Sequence, residues 1–221
     1  MKRLLTFLTV SAAMLVAGKS YAQISIRAGF APETWTTTTT AGNSSTTSTS
    51  SLNGIFVGAH YNLNITGDLG VSLGVQYRYN FGKETGSADV LGIVGGTFET
   101  KKTQSVLDVP VLLNYGLDLS EGMRLSIFAG PTLNLALAGN SHTTTTVTVL
   151  GKPTVTESDN DWYGNNTNYE SLNLSATFGI NFTYMNFGIF GGYNMGLLDM
   201  NKLDNVSLKT AGFFVGLGYT L

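Results

Sequence analysis

Strict alternation of apolar with small or polar residues over residues 69–81 constrains this chain most. Every second residue is apolar, namely Leu69, Val71, Leu73, Val75, Tyr77, Tyr79 and Phe81. The residues between them are Gly70, Ser72, Gly74, Gln76, Arg78 and Asn80. Because side chains alternate between the two faces of a β-strand, this pattern predicts a strand with one apolar face.

The same pattern occurs eight times along the chain. The alternating segments begin at Ile24, Ile55, Leu69, Leu107, Met123, Leu172, Phe187 and Phe213. Most of them reach the roughly 9–11 residues that a tilted strand needs to cross a bilayer. No later segment is apolar over the roughly 20 residues that a spanning helix needs, so membrane residence must come from strands. A hydrophobic fraction of 43% excludes a disordered chain.

The connections between these segments alternate in length. Short connections cover residues 64–68, 118–122 and 183–186, and long ones cover residues 31–51, 82–103, 138–169 and 198–209. This order is typical of outer-membrane barrels, which have tight periplasmic turns and long external loops. Since an open sheet edge in hydrocarbon would leave backbone groups unpaired, the sheet must close. We therefore predict an all-β fold in which residues 23–221 form an up-and-down, eight-stranded, antiparallel transmembrane β-barrel.

The N-terminus carries an export pattern. Lys2 and Arg3 precede an apolar run over residues 4–17, and small residues precede Gln23. A basic head, a short apolar run and small residues before the cut are the parts of a secretory signal peptide. We expect residues 1–22 to be this peptide, cleaved near Ala22, and the mature chain to lie in the bacterial outer membrane with both ends in the periplasm.

Two further expectations concern the barrel wall. Amphipathic rings favour the headgroup level of a bilayer, and we expect a periplasmic aromatic girdle of Tyr61, Tyr115, Phe182 and Tyr219. Pro110 and Pro131 both fall inside strands, where each removes a ladder hydrogen bond. If the turn centres on Ser120, Pro110 lies opposite Gly130 and Pro131 opposite Val109. A shared irregularity or bulge is expected there.

Residues 107–116, LDVPVLLNYG, resemble the fourth-strand signature of the small outer-membrane β-barrel domains often called porin-family proteins, which are similar in architecture to OmpA/OmpX-type barrels. Supporting matches are residues 127–131, 178–181, 192–197 and 216–219. The resemblance implies an eight-stranded barrel and brings no catalytic residues with it. It also implies that barrel-assembly machinery reads the last strand through Phe213, Val215, Leu217, Tyr219 and Leu221, although the family usually ends in phenylalanine.

The inward face of the predicted barrel holds the polar candidates Arg78, Asp108, Arg27, His60 and Arg124. An eight-stranded barrel is only wide enough for side chains to fill it, and four inward phenylalanines argue for a plugged interior. Arg78 and Asp108 fall at similar heights on neighbouring strands. They are interpreted as a structural ion pair, with a gate that opens when the pair breaks as the alternative. Arg27 and Arg124 lie near the periplasmic mouth, and any conduction would therefore favour anions.

Composition and residue types argue against several functions. The chain has no cysteine, which excludes disulfides and thiolate chemistry, and its net charge of -2 gives no basic face for nucleic acid. A lipid A-modifying enzyme would need a histidine, a nucleophile and an acidic partner, but His60 faces inward and His142 has no acidic neighbour in sequence. The acidic residues 157–161 lack the spacing of a known calcium loop, so neither a metal nor a cofactor is expected.

The threonine-rich segments remain the best functional candidates. Residues 36–40, 44–51 and 143–148 are β-prone yet polar, and residues 143–157 are expected to form a hairpin above the membrane. Trp35, Trp162 and Tyr163 could supply contact aromatics. These loops are either an inert hydrated cover or an adhesive, ligand-binding surface. The sequence thus favours a non-enzymatic structural or surface-interaction role, with a narrow pore and a lipid-modifying enzyme as alternatives. The expected partners are outer-membrane lipids, assembly machinery and an extracellular ligand.

Overall fold

The computed structural model describes residues 23–42, 44–90, 94–149, 152–164, 167 and 169–221. The predicted signal peptide lies outside these residues. The described chain forms a ten-stranded antiparallel sheet. The strands are β1 (Gln23–Phe30), β2 (Glu33–Ala41), β3 (Ser44–Thr66), β4 (Leu69–Val90), β5 (Val94–Ser120), β6 (Met123–Val149), β7 (Lys152–Asp161), β8 (Leu172–Tyr184), β9 (Phe187–Gly196) and β10 (Val206–Thr220).

The sheet closes into the predicted eight-stranded barrel. The first strand β1 pairs with the last strand β10 and also with β3, so the ring has no open edge. The strand β2 continues β1 beyond Ala31 and Pro32 and pairs with the same two neighbours in the same register. They therefore form one wall strand, interrupted where Pro32 cannot donate a backbone hydrogen bond. Among the residues that the structure describes, the strand β7 pairs only with β6, above the barrel, which leaves eight strands in the wall.

The four long connections contain more strand than the sequence predicted. Three of them are hairpins that extend the wall strands: β2 with β3, β4 with β5, and β6 with β7. The expected hairpin around residues 143–157 is present, because Val149 pairs with Lys152 and Thr145 pairs with Thr156. Threonine favours strands, and paired threonines hydrogen-bond across the ladder, as Thr38 does with Thr47 at 3.3 Å. The polarity of these segments indicates that they lie outside the membrane, but they form regular paired strands there.

The short connections all lie at one end of the barrel, here called the turn end. Residues 67–68, 121–122 and 185–186 form the turns, and both described chain ends lie beside them. Gly122 has φ 75°, a left-handed conformation that glycine adopts without steric cost. The opposite end is called the loop end. This sorting matches the expected plan of short turns on one side and long segments on the other.

The two prolines interrupt the ladder, although the predicted partners were wrong. Pro110 lies opposite Thr132 and Val109 opposite Leu133, two residues away from the expected pairing. The next pair joins Leu113 with Ala129, so the ladder is broken between them without a change of register. The pairing of β5 with β4 is broken at the same height, between Leu73 and Gln76. The irregularity is therefore shared, but it is a gap and not a bulge.

Apolar side chains cover the outside of the wall. Ile26, Val75, Leu113, Ile127 and Leu217 expose 49–65% of their surface, which places apolar atoms against lipid. The predicted girdle residues Tyr115, Phe182 and Tyr219 point outward near the turn end, with Tyr61 half-buried beside them. Within the described ranges, the structure contains no helix that is long and apolar enough to cross a membrane.

Candidate functional site

Arg78 is the centre of the polar interior. This strand β4 residue is 6% exposed, and its side chain points into the barrel because it occupies the polar phase of the alternating segment. Its Nε donates to Asp108 Oδ2 at 2.9 Å, and its Nη2 lies 3.3 Å from Asp108 Oδ1. The two residues named by the sequence are therefore in direct contact through a forked, charge-assisted pair.

A second carboxylate completes this site, and the sequence did not reveal it. Glu33 Oε1 lies 3.1 Å from Arg78 Nη1, so one guanidinium is held between two carboxylates. Glu33 also accepts hydrogen bonds from Trp35 Nε1 at 2.9 Å and from Asn80 Nδ2 at 3.2 Å. The sequence pattern predicts a loop at Glu33 because Pro32 ends the alternation of β1, yet β2 resumes the same register. We call Glu33, Arg78 and Asp108 the ion triad.

Neutral side chains extend the hydrogen bonds around Asp108. Asn134 donates to Asp108 Oδ1 at 2.7 Å, and Ser175 donates to Asn134 Oδ1 at 2.5 Å. A buried charge is tolerated when it is paired and its remaining hydrogen-bonding capacity is filled. The triad thus fits a structural crosslink between strands β2, β4 and β5.

Four phenylalanines fill the barrel below the triad, as the sequence predicted. Phe56, Phe128 and Phe190 are buried, and Phe214 packs against them. Each ring lies over a glycine directly across the ladder, and the four pairs are Phe56 with Gly29, Phe128 with Gly179, Phe190 with Gly216 and Phe214 with Gly192. A Cβ at any of these glycines would come within 3.0 Å of the ring. The glycines therefore make the space in which the rings close the lumen. We call this the phenylalanine layer.

A small cavity remains beside this layer. A cavity of about 30 Å³ lies among Arg27, His60, Arg78 and the phenylalanine layer. That volume holds about two or three waters, since one water needs roughly 10–15 Å³ by this measure. His60 is 1% exposed, and its Nδ1 and Nε2 lie 3.1 Å from Ser72 Oγ and 2.6 Å from Gln76 Nε2. Both ring nitrogens have partners, as in a packed interior residue.

An open vestibule of about 710 Å³ lies below the layer at the turn end. Arg27 reaches its upper limit, with the guanidinium carbon 5.1 Å from the centre of the Phe190 ring. Arg124 lies at the rim, where its Nη1 donates to Asp118 Oδ1 at 2.8 Å. Both arginines therefore lie toward the mouth, as expected, and Arg124 has an exposed carboxylate partner there.

A second apolar cluster closes the loop end. Trp35, Leu52, Trp162, Met200 and Leu208 are each at most 8% exposed, and Tyr163 and Tyr169 pack against them. The rings of Trp35 and Trp162 have centroids 4.9 Å apart. Trp35 and Trp162 are therefore buried packing residues, and the idea that they serve as exposed contact aromatics is wrong. Tyr163 is half-buried and accepts a hydrogen bond from Gln104 at 2.5 Å. We call this cluster the tryptophan cap.

Above the cap, one part of the wall continues as a free-standing sheet. It comprises residues 82–90 of β4, 94–105 of β5, 138–149 of β6 and all of β7, and we call it the projecting sheet. The strand β3 pairs with β4 only as far as Asn53 and Phe81, so the β2–β3 hairpin separates from this sheet above that point. Lys102 Nζ bridges the two, at 2.7 Å from Glu84 Oε1 and 3.1 Å from Ser50 Oγ. Hydrogen bonds from Lys102 and Ser50 hold the pKa of Glu84 below its usual value.

The projecting sheet also brings together a histidine and an aspartate that are distant in sequence. His142 Nδ1 lies 2.7 Å from Asp159 Oδ1, because the two residues are direct partners in the β6–β7 ladder. Both are exposed. Ser141 is adjacent to His142 in the strand and therefore points to the opposite face. These three residues do not form a nucleophile–base–acid array, and the part of the chain described by the structure contains no group of acidic and histidine residues that could hold a metal ion.

Four of the five proposed assembly residues lie on β10, and Leu221 directly follows it. Phe213, Val215, Leu217 and Tyr219 alternate on its outer face, and Leu221 at the chain end is 68% exposed. They share this face because successive side chains of a strand alternate between its two faces. Their recognition by assembly machinery stays a prediction.

These features define a closed, lipid-facing β-barrel, and comparison with known proteins agrees. The model of the family described as outer membrane protein beta-barrel domain matches residues 11–202. The chain belongs to this family, and its location is the bacterial outer membrane. No curated protein matches it in sequence.

Several solved structures are similar in fold at low identity. Ail of Yersinia pestis, the attachment invasion locus protein, was crystallised with the heparin analogue sucrose octasulfate and is 16% identical, with 90% of this chain and 99% of that chain covered and a TM-score of 0.33. Neisserial surface protein A is 13% identical, with 90% and 99% covered and a TM-score of 0.36. The outer membrane protease OmpT of Escherichia coli is 11% identical, with 90% and 97% covered and a TM-score of 0.42.

Proposed function

We propose that this chain is a non-enzymatic surface-interaction protein, in which a sealed barrel holds the projecting sheet and the β2–β3 hairpin outside the membrane. The observation that carries the proposal is the contrast between the two regions. The lumen is closed by the phenylalanine layer, the ion triad and the tryptophan cap, whereas all ten residues of β7 are exposed. A hydrogen-bonded, exposed sheet on a plugged barrel suits contact with another molecule better than passage of a solute.

The polar outer faces of the hairpins support the same function. Cross-strand hydrogen bonds such as that of Thr100 with Thr143, at 3.0 Å, fix the extended segments above the membrane. An inert cover would not need such order, because irregular polar loops hydrate equally well. An ordered sheet edge instead offers a prepared row of backbone donors and acceptors, which is how many proteins capture an extended partner. On this basis we include an extracellular ligand among the partners. Barrel-assembly machinery is included because of the alternating apolar residues Phe213, Val215, Leu217 and Tyr219 on the last strand.

Adherence of whole cells tests the proposal. One variant lacks residues 141–160, with an Asn-Gly turn joining Asn140 to Asp161, which are partners in the β6–β7 ladder. The barrel should still form, because β6 pairs with β8 from Met123 to Leu135, well below the cut. Cells producing the full chain should adhere to mucin-, collagen- or fibronectin-coated surfaces several-fold better than cells producing equal amounts of the trimmed, heat-modifiable barrel. Equal adherence of the two strains on every surface would contradict the proposal.

A further inference from the structure

The free edge of β7 leaves a row of strand backbone groups without a neighbouring strand in the described part of the chain. In the described part of the chain, β7 pairs only with β6, and its ten residues are exposed along their whole length. An unpaired edge is a row of backbone N–H and C=O groups that can template another strand. In the barrel wall, by contrast, every strand has two neighbours.

Pro153 shows which backbone groups face outward from this edge. Proline has no N–H, and it is tolerated in a strand where that position points away from the neighbouring strand. Because successive residues alternate in direction, the backbone groups of residues 155, 157, 159 and 161 point to the same free side as Pro153. The free edge therefore offers the backbone N–H and C=O groups of four alternate residues, of which Val155 is the first.

The charged side chains at these positions are all acidic. Glu157, Asp159 and Asp161 share the outer face of β7 with Val155, which is 59% exposed. Asp159 is held by His142 on the β6 side, while neither Glu157 nor Asp161 forms an ion pair within the described ranges. An incoming strand would place its own alternate side chains directly opposite these carboxylates.

This charge pattern selects among partners. A second copy of the chain, paired antiparallel over the full edge, would set Glu157 against Glu157, and like charges directly opposite destabilise a strand pair. An anionic glycan or a phosphate-bearing lipid would be repelled by the same carboxylates. A strand with lysine or arginine at alternate positions would instead satisfy both the backbone groups and the charges.

We propose that the β7 edge binds an extended cationic segment of another protein by strand addition, with the partner's alternate basic side chains facing Glu157 and Asp161. This inference rests on the proposed surface-interaction function and names the class of partner for its exposed sheet. The carboxylates also prevent the bare edge from pairing with itself.

The test uses the full chain in phosphatidylcholine nanodiscs, and the probe is a labelled eight-residue peptide of alternating threonine and lysine. We expect saturable binding by fluorescence anisotropy, with none for the matching threonine–glutamate peptide. Val155→Pro removes an outward N–H at a position where the fold does not use it, and should weaken binding at least ten-fold. Val155→Thr keeps that N–H and is the matched control, expected to bind within two-fold of the unchanged chain.

A second probe separates strand addition from simple attraction of charges. The same lysine peptide, N-methylated at alternate backbone positions, keeps its charge but cannot pair with a strand. Equal binding of the methylated peptide, or undiminished binding to Val155→Pro, would overturn the proposal, as would a dimer of the chain that Val155→Pro dissociates. Absence of any saturable binding would also overturn it. The proposed function would survive each of these results if the trimmed barrel still lost adherence.

Discussion

Removal of Arg78 should destabilise this barrel far more than removal of Arg124, which forms an exposed ion pair. Arg78→Met would leave Glu33 and Asp108 facing each other without the cation that lies 3.1 Å and 2.9 Å from them. Their side chains are 13% and 6% exposed, so water cannot replace the guanidinium. Breaking a buried pair by removing one partner typically costs about 3–5 kcal/mol, and here two carboxylates lose their partner at once.

Arg124→Met is the matched control. Arg124 and Asp118 also form a 2.8 Å ion pair in the barrel, but they are 33% and 70% exposed. An exposed pair of this kind contributes about 0–1 kcal/mol. The two substitutions remove the same groups, and they differ chiefly in burial.

A triple variant tests the reason for the loss. Arg78→Met combined with Glu33→Gln and Asp108→Asn removes the charges together, so no uncompensated ion remains. Its stability should return most of the way toward the unchanged chain. Partial loss is expected because Asn134 and Asn80 donate to these two carboxylates.

Urea unfolding of the folded chain in detergent micelles measures the effect. Both tryptophans of the chain lie in the cap, so their fluorescence reports its opening, and heat-modifiability on a gel reports the barrel. The reasoning would be refuted if Arg78→Met shifted the unfolding free energy no more than Arg124→Met, or if the triple variant were less stable than Arg78→Met alone.

Three other results are expected. Gly29→Ala should impair assembly, because its Cβ would clash with the Val215 carbonyl oxygen and lie 2.8 Å from the Phe56 ring. Gly96→Ala meets nothing closer than 3.9 Å and should assemble normally, so equal heat-modifiable fractions of the two variants would contradict this. Trp162→Ala should cost about 3–5 kcal/mol at the cap and expose the loop end to protease while the barrel stays heat-modifiable, and unchanged cleavage would show that the cap does not hold these segments. The link of Glu84 to Lys102 and Ser50 should weaken in acid: the pKa of Glu84 is depressed in the folded chain, so its contribution is present above its unfolded pKa and disappears as pH falls through the folded value. The protection factors of amides near Ser50, which are corrected for the pH dependence of intrinsic exchange, should then fall at low pH. Glu84→Gln should show this lower protection already at pH 7, and a further fall of the same size in Glu84→Gln would assign the pH effect to another group.

The barrel wall could be predicted from sequence because its pattern has a physical cause. Lipid requires an apolar residue at every second position, so residues 69–81 revealed both the strand and which side chains face inward. The contact of Arg78 with Asp108 followed from counting along neighbouring strands. Glu33 could not be found in this way, since Pro32 interrupts the alternation and the residues beyond it are polar on both faces.

Above the membrane the same rule no longer applies. Water hydrates both faces of the projecting sheet, so residues 143–148 could be threonine at every position, and their length as strands was underestimated. Trp35 and Trp162 were misassigned because aromatic residues in polar loops resemble contact residues, whereas their burial depends on segments that are distant in sequence. The pairing of inward phenylalanines with glycines was a usable signal, visible once β8 is aligned with β6 and β10 with β9.

The central claim is that the barrel is sealed and that the protein works through what it holds outside the membrane. Single-channel recording of the folded full chain in planar bilayers tests this claim most directly. We expect no steady conductance above the bare bilayer, for the unchanged chain and for Arg78→Met alike, because the phenylalanine layer and the tryptophan cap close the lumen independently of the ion triad. A stable open level in the unchanged chain would contradict the account and assign the protein to the pores.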